Sequence, residues 1–594
     1  MGNRVNRRGP ITNENEDDAY CDITSLIFRH FYPQLLELLT VNDVSLISKL
    51  FSADLPEDQV ESQGIHKQTH GVQDMKPSWT LTELYQFFIV TILSKQVKNG
   101  VKPTHPVDDE VEKSMCEMLK GIPKQVIGTV FCLGRLAYIG FDWRFMKEEP
   151  KDIYTVGDIM QCGMEVTDCF YGLLKIANTG QLPTDNVTFS FAHFTIQDFL
   201  CALYITTLPQ NEQEDLFTET FHEYCNVSVF WSGLTGLVSY RAAQFVCDEL
   251  HQEDAITAVQ CVYESKQTKP MLPDAPFRLD INYEILAPYE CLATSTVLSH
   301  YPISQLLLNE CYFGDDGARM LVQHYPNEND TAFCHLERLD FSHNYFSLAG
   351  ASHLTKIMTK NGASLVVLEI GWNPIGDDGI SLLIEGLKEN KVLVNLSAPS
   401  CEITVKGASC ISKFLKNMDH TLEILQLSYN KIGDDGISMI AEGLQGNNAI
   451  TSLMIGGCGI TMKGATAIAE LVRNRSTLLY LSLSENKVGD DGISVIAGAL
   501  VKIGIRNLEA EQCEITLTGA KALAELLSIN KNITQLNLCK NLITSVGARL
   551  ILQSAVGNGV CHDVAMDSQI YKDDKEAKLL KKILKMRENE RYHH

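Results

Sequence analysis

The chain has 594 residues, too many for one hydrophobic core, and its 45% hydrophobic and 21% charged residues are the balance of a folded protein. A formal net charge of -24 opposes the phosphate backbone, so nucleic acid is not expected as a partner. No run of about 18 uncharged apolar residues occurs, so no membrane span is expected; MGNRVNRRGP lacks the apolar stretch of a signal peptide, so the 18 cysteines, which form no CxxC pair, are expected as reduced cytoplasmic thiols without a metal site.

Taken in order, residues 1–19 are polar and read as a disordered N-terminus. Residues 20–66 contain ITSLIFRHFYPQLLELLTVNDVSLISKLF, where Leu26, Ile27, Leu35, Leu36, Leu38 and Leu39 suggest amphipathic helices broken at Asn42-Asp43 and at Ser52-Ala53-Asp54. This segment is similar to the first helices of a caspase-recruitment (death-fold) domain and covers about half of one. A linker follows at 67–77.

Residues 78–268 read as mostly helical. SWTLTELYQFFIVTILSKQ (78–96) offers caps at Ser78 and Thr80, then apolar residues at helical spacing. FCLGRLAYIGF (131–141) predicts another helix, and FYGLLKI (170–176) a short apolar segment before a loop. In VTFSFAHFTIQDFLCALYIT the alternation at Val187, Phe189 and Phe191 predicts a strand, and a helix begins near Thr195. His193 stands between them. A lone histidine among apolar residues serves either as a hydrogen-bonded structural group or as a ligand contact. A connector and repeat cap are expected at 269–302.

From residue 303 the chain repeats. LVVLEIGWNPI (365–375), LEILQLSYNKI (422–432), LLYLSLSENKV (478–488) and ITQLNLCKNLI (533–543) fit the leucine-rich pattern LxxLxLxxNxL. LVNLSAPSCEI (393–403), ITSLMIGGCGI (450–460) and IRNLEAEQCEI (505–515) carry Cys at the Asn position. With ISQLLLNECYF (303–313) and LERLDFSHNYF (336–346) there are nine units, marked by Cys311, Asn344, Asn373, Cys401, Asn430, Cys458, Asn486, Cys513 and Asn541. Alternate leucines point into a core, and the residues between them face outward. Each unit then enters a helix. IGDDG and VGDDG put aspartates at a helix N-terminus, and ITVKG, ITMKG and ITLTG supply Thr404, Thr461 and Thr516 as N-caps. The aspartates lack the spacing of a calcium loop. These readings predict an α/β fold: a leucine-rich-repeat horseshoe over 303–561, with strands inside and helices outside, after a mostly helical region. A charged helix or tail is expected at 562–594.

The alternation of Asn and Cys units resembles the ribonuclease-inhibitor subtype. TLTELYQFFI, LGRLAYIGF, GLLKI, FSFAHFTIQDFLCALYI, FWSGLTGL (230–237), VQCVYESK (259–266) and LAPYECLATSTVLS (286–299) resemble, in order, the part of NOD-like receptors that follows their NACHT nucleotide-binding core. That resemblance implies a NACHT-associated helical and winged-helix region at 78–268. It also implies that His193 matches the histidine that touches the phosphates of bound ADP. The chain departs from the family here: a phosphate loop needs GxxxxGK[ST], and the sequence contains no Gly-Lys pair. The nucleotide core is therefore expected to be missing, no cofactor is expected, and His193 is expected to be structural.

The resemblance implies a non-catalytic, cytoplasmic innate immune sensor or regulator, with no enzymatic activity. Its partners would be a protein or microbial ligand, full-length NOD-like receptors, or death-fold adaptors. Candidate contacts on the concave face are His343, Glu369, Trp372, Tyr429, Glu485, Glu509 and Glu511, with Trp372 and Tyr429 as aromatic anchors. Two alternatives use the same repeats: a ribonuclease-inhibitor-like blocker of a basic enzyme, and a Ran-type GTPase-activating protein. The latter needs a loop arginine or asparagine that no residue here marks.

Overall fold

The computed structural model describes residues 80–98, 107–145, 153–164, 173–178, 187–252, 255–266, 273, 275–326, 334–417, 421–473 and 477–592. The death-fold segment expected at 20–66 and the linker at 67–77 lie outside the described residues. The chain divides into two units, Met1–Cys247 with Thr257–Met271, and Asp248–Ile256 with Leu272–His594.

The helices of the N-terminal region are α1 (Leu81–Lys98), α2 (Asp109–Met118), α3 (Ile127–Phe145), α4 (Val156–Gln161), α5 (Phe194–Ile205), α6 (Gln210–Thr220), α7 (Cys225–Thr235), α8 (Tyr240–Glu249) and α9 (Ile256–Ser265). A small sheet of β1 (Tyr154–Thr155), β2 (Leu174–Asn178) and β3 (Thr188–Phe191) has the order β1-β3-β2, antiparallel throughout. Phe189 and Phe191 of β3 are buried while Thr188 and Ser190 are half-exposed, as their alternation predicts. Of the apolar 170–176 segment, residues 174–176 lie in β2.

Thr80 and Glu83 cap α1 reciprocally. The Glu83 N–H donates to Thr80 Oγ1 (3.2 Å) and the Thr80 N–H to the Glu83 carboxylate (2.9 Å). The next two amides, of Leu81 and Thr82, donate to the carboxylate of Glu264, each at 2.8 Å. Glu264 lies in α9, is only 2% exposed, and brings its charge to the positive end of the α1 dipole. Tyr85, Phe199 and Phe230, from α1, α5 and α7, pack ring to ring at 4.9–5.7 Å. Gly134 lets α3 approach α5 closely: a Cβ there would lie 2.9 Å from the Leu200 carbonyl oxygen.

The second unit is one parallel sheet of eleven strands in sequence order. They are β4 (Phe277–Asp280), β5 (Ile303–Leu307), β6 (Cys334–Asp340), β7 (Val367–Glu369), β8 (Asn395–Ser397), β9 (Ile424–Gln426), β10 (Ser452–Met454), β11 (Tyr480–Ser482), β12 (Asn507–Glu509), β13 (Gln535–Asn537) and β14 (Asp563–Ala565). Behind them run α10 (Pro288–His300), α11 (Gly314–Leu321), α12 (Leu348–Asn361), α13 (Gly376–Gly386), α14 (Val405–Asn417) and α15 (Gly433–Gly443). The series continues with α16 (Met462–Val472), α17 (Gly489–Leu500), α18 (Leu517–Ile529), α19 (Ser545–Asn558) and α20 (Lys575–Tyr592). This is a leucine-rich-repeat solenoid. The leucines at the centre of each strand, such as Leu368, Leu396, Leu425 and Leu481, are at most 1% exposed, and each contributes about 1.5–3 kcal/mol by burial.

The sheet extends one strand beyond the nine units at each end. β4 lies in the segment expected as a connector, and β14 in the segment expected as a tail. Register places Glu284 where β5 has Cys311, and Gln569 where β13 has Asn541. The marker column carries Asn or Cys because its side chain serves the backbone of neighbouring repeats, a constraint relaxed at the two ends of the stack.

That service is explicit in the interior. The amide of Asn430 donates to the Ala398 and Leu427 carbonyls (2.8 and 2.9 Å), and its oxygen accepts from the Cys401 and Ile403 N–H groups (3.0 Å each). The Cys458 thiol donates to the Leu427 carbonyl (3.2 Å). A second asparagine ladder at the helix ends escaped the sequence reading. The amide nitrogen of Asn530, for example, donates to the Leu500 and Ile503 carbonyls. Its signal is an asparagine three residues ahead of the first leucine or isoleucine of a repeat, as in Asn390 and Asn447.

The aspartates lie in the first turn of their own helices, as expected, and one of each pair also serves the next repeat. Asp434, in the first turn of α15, accepts from the N–H groups of Thr461 and Gly464 (2.8 and 2.9 Å) and from Thr461 Oγ1 (2.6 Å), so it braces α16, the helix of the next repeat. Asp377 and Asp490 do the same for Thr404 with Gly407 and for Thr516 with Gly519. The glycine is required by this approach. A Cβ on Gly464 would sit 2.6 Å from Asp434 Oδ1. Thr461 and Thr516 also cap their own helices, as their spacing predicts.

Candidate functional site

The residue before each marker occupies a left-handed turn. φ is +58° at His343, +60° at Trp372, +61° at Tyr429 and +61° at Glu485, and Ser400, Gly457, Gln512 and Lys540 share the conformation. For a residue with a Cβ this backbone costs about 1–2 kcal/mol. It is held because each turn donates its N–H across to the next repeat. The Trp372 amide reaches the Pro399 carbonyl (2.8 Å), Tyr429 reaches Gly456 (2.7 Å) and Glu485 reaches Glu511 (2.8 Å).

His343, Trp372, Tyr429 and Glu485 are thus not outward strand residues, as expected from the sequence. Each lies three residues beyond its strand, in the turn leading toward the helix. Glu369 and Glu509 are the last residues of β7 and β12, and Glu511 follows two residues beyond Glu509.

Stacking of turns makes these side chains one continuous ladder. The His343 and Trp372 rings lie 4.9 Å apart and 16° from parallel. The Trp372 and Tyr429 rings are 6.3 Å apart, although an entire repeat separates them. Two strand spacings amount to about 9.6 Å, so the rings lie closer than their strands; the residue at the same turn position in the repeat between them is the small Ser400. Tyr429 then leans over Gly457, where a Cβ would come within 2.7 Å of its ring, and its hydroxyl donates to Glu485 one repeat further on (3.0 Å). Trp372 and Tyr429 remain 46% and 49% exposed. The signal was legible as large side chains before the Asn markers alternating with Ser400 and Gly457 before the Cys markers.

Charge is organised around the ladder. Burial, followed by the hydrogen bond to Glu485, holds the Tyr429 phenol above its ordinary range. Glu511 does not stand free: Lys540 pairs with it at 2.7 Å and the Asn537 amide donates to it, so its carboxyl is held low by Lys540 despite partial burial. Burial, then the hydrogen bond to Glu509, pushes the Tyr480 phenol up. Glu369 pairs with Arg338 at 2.7 Å, yet burial and neighbouring Asp340 hold its carboxyl above the usual value. The ladder therefore offers an aromatic surface that ends on Glu485, with Asp340 and Glu369 three residues before His343 and Trp372 at the ends of β6 and β7.

His193 belongs to the other unit. It is the N-cap of α5, and Nδ1 accepts from the Thr195 N–H (3.2 Å) and shares a 2.7 Å hydrogen bond with Thr195 Oγ1, which also meets the Tyr85 hydroxyl. Its ring lies 4.3 Å from that of Phe194, tilted by 32°. Burial, then nearby Lys175, lowers its pKa, favouring the neutral capping form.

Among the described residues, no three His, Cys, Asp or Glu side chains are grouped to hold a metal, and no helix is long and apolar enough to cross a membrane. The marker thiols of Cys401 and Cys458 are pushed up to about 12, and that of Cys513 to about 11, by burial. They are structural donors, unsuited to nucleophilic chemistry.

The family model described as Leucine Rich repeat matches residues 363–383, 419–441 and 475–497, all in Asn-marked units. The ribonuclease inhibitor of Sus scrofa is 32% identical over 282 residues, which are 47% of this chain and 60% of that protein. NACHT, LRR and PYD domains-containing protein 14 of Mus musculus is 27% identical over 279 residues, 46% of this chain and 27% of that protein. Protein 3 of the same series, from Bos taurus, is 23% identical over 423 residues, 61% of this chain and 40% of that protein. The chain thus spans less than two thirds of each of these relatives. Its leucine-rich repeats are homologous to those of both groups.

Proposed function

We propose that the chain is a non-catalytic, cytoplasmic sensor or regulator of the NOD-like receptor type, which binds a protein or microbial ligand along its repeats. The single observation behind the binding role is the continuous His343–Trp372–Tyr429–Glu485 ladder, half-exposed and built from four repeats. Aromatic rings beside carboxylates favour a partner with an apolar spot and a basic group, through burial and cation–π attraction. The receptor-type reading is supported by the motif order and by the alignment to the Bos taurus protein, which covers more of this chain than the repeats alone. We read the helical region as the NACHT-associated helical and winged-helix part; the three-stranded sheet leading into α5 supports that reading. His193 has a structural role in it, and this chain, which contains no Gly-Lys pair, is expected to bind neither ATP nor ADP at micromolar concentration.

The test is capture of partners by the full chain, followed by affinity measurement on each. Trp372→Ala should weaken the specific partner by about 2 kcal/mol, roughly thirtyfold. Lys413→Ala, on the exposed side of α14, should leave it unchanged. Equal affinity for both variants excludes the ladder as the binding site. A second reading, inhibition of a basic enzyme, is favoured by the 32% identity to the Sus scrofa inhibitor and by the net charge of -24. Inhibition of a basic pancreatic-type ribonuclease, lost in Trp372→Ala, would select it.

A further inference from the structure

The last helix, α20, has two faces of opposite character. Ala577 and Leu584 are fully buried, and Leu580 and Ile583 half-buried, where the helix closes the end of the repeat core. It is fastened by Gln553 to Glu576 (2.7 Å), by Arg549 to Asp574 (3.5 Å) and by Lys581 Nζ to the Val564 carbonyl (2.6 Å). The outward face is formed by Lys575, Lys578, Leu579, Lys582, Lys585 and Met586, all exposed. At 100° per residue these six fall within a sector of about 120°. That sector holds no acidic side chain. Glu590 lies about 20° and Glu576 about 60° beyond its edge, and Glu576 is turned toward Gln553 and Arg549. None of the four lysines forms an ion pair among the described residues.

A capping helix needs only its buried side, and solubility needs no more positive charge on a chain whose net charge is -24. Neither explains Leu579 at 59% exposure and Met586 at 56%, set among the lysines. Four exposed cations and two exposed apolar side chains on one face are the two signals that interfacial helices combine: attraction to anionic headgroups and shallow apolar insertion. The six residues lie on one side of a single helix, α20, and such a side is convex. We propose that α20 docks the protein peripherally on an anionic lipid surface, with Leu579 and Met586 entering the headgroup layer between Lys575, Lys578, Lys582 and Lys585. The helix lies on the bilayer and does not cross it.

The experiment is co-sedimentation of the full chain with phosphatidylcholine vesicles, with and without phosphatidylserine. Binding is expected only with phosphatidylserine, falling steeply as salt is raised. A Lys578→Glu, Lys582→Glu double variant should bind at least tenfold more weakly. Leu579→Ser should also weaken binding while its thermal melt stays that of the parent, because the replaced side chain touches little of the core. The proposal is overturned if phosphatidylserine adds no binding at low salt, or if the double variant binds like the parent. It is equally overturned if polyglutamate is bound through these lysines while the vesicles are not, which would make the face a site for an acidic protein.

Discussion

The two units are held together by different kinds of contact. In the repeats the polar contacts that join one unit to the next span roughly one repeat: Asn430 serves Cys401 and Ala398, and Asp434 serves Thr461. In the helical unit the decisive partners are unrepeated and remote, as with Glu264 at α1, more than 180 residues earlier, and Tyr85 at Thr195. A repeated contact is a local code that tolerates failure at one rung, because a solenoid's stability is a sum over neighbours. An unrepeated contact has no substitute. Substitutions in the two units should therefore differ in how far their effects spread.

The largest loss is expected for Asn430→Ala, which strips four buried backbone groups of their partner. It should cost about 4 kcal/mol. Hydrogen exchange should show the loosening confined to the turns around 398–403 and 427–430 and the adjoining repeats; exchange rising equally in α1 and α5 would contradict the neighbour-sum picture. Glu264→Ala should come next, at about 3 kcal/mol, since it leaves two helix-terminal amides buried without an acceptor. Here exchange should rise along the whole of α1. Glu264→Gln, which keeps one good acceptor, should recover part of the loss.

Asp434→Ala should cost about 2 kcal/mol, with Thr461 and Gly464 the first amides to exchange. The aspartate ladder also sets a pH dependence. For Asp377, Asp434 and Asp490 burial acts to raise the carboxyl pKa, but the hydrogen bonds from the following repeat outweigh it, and the folded value is depressed. Their stabilisation is complete above the unfolded aspartate value, about 3.9, and is lost as pH falls through the lower folded value. Urea midpoints taken from pH 7 down to pH 3 should show that decline, and the triple Asp→Asn variant should flatten it.

The smallest effect is expected at His193→Ala, about 1 kcal/mol, the usual value of an N-cap. Its depressed pKa adds a loss of stability as pH drops below the unfolded histidine value of about 6.5, which the variant should lack. A melt equal to the parent's at pH 7 would show that Thr195 caps α5 without it.

The repeat period, the strand and helix in each unit, and the capping threonines could be read from residue spacing, because each follows from contacts within one repeat or between neighbours. β4 and β14 could not, since Glu284 and Gln569 stand at the marker column where the stack ends and no further repeat demands an amide or a thiol. The candidate residues were found, but not their arrangement. Taken along the chain, Trp372 and Tyr429 are 57 positions apart and Ser400 and Gly457 look like filler. Stacking turns them into one surface: the two rings come within 6.3 Å although a repeat lies between them, and Gly457 leaves room for the Tyr429 ring. The same holds for Glu264. Nothing near it in sequence calls for a carboxylate; the demand comes from two amides that reach it only after the helices have packed.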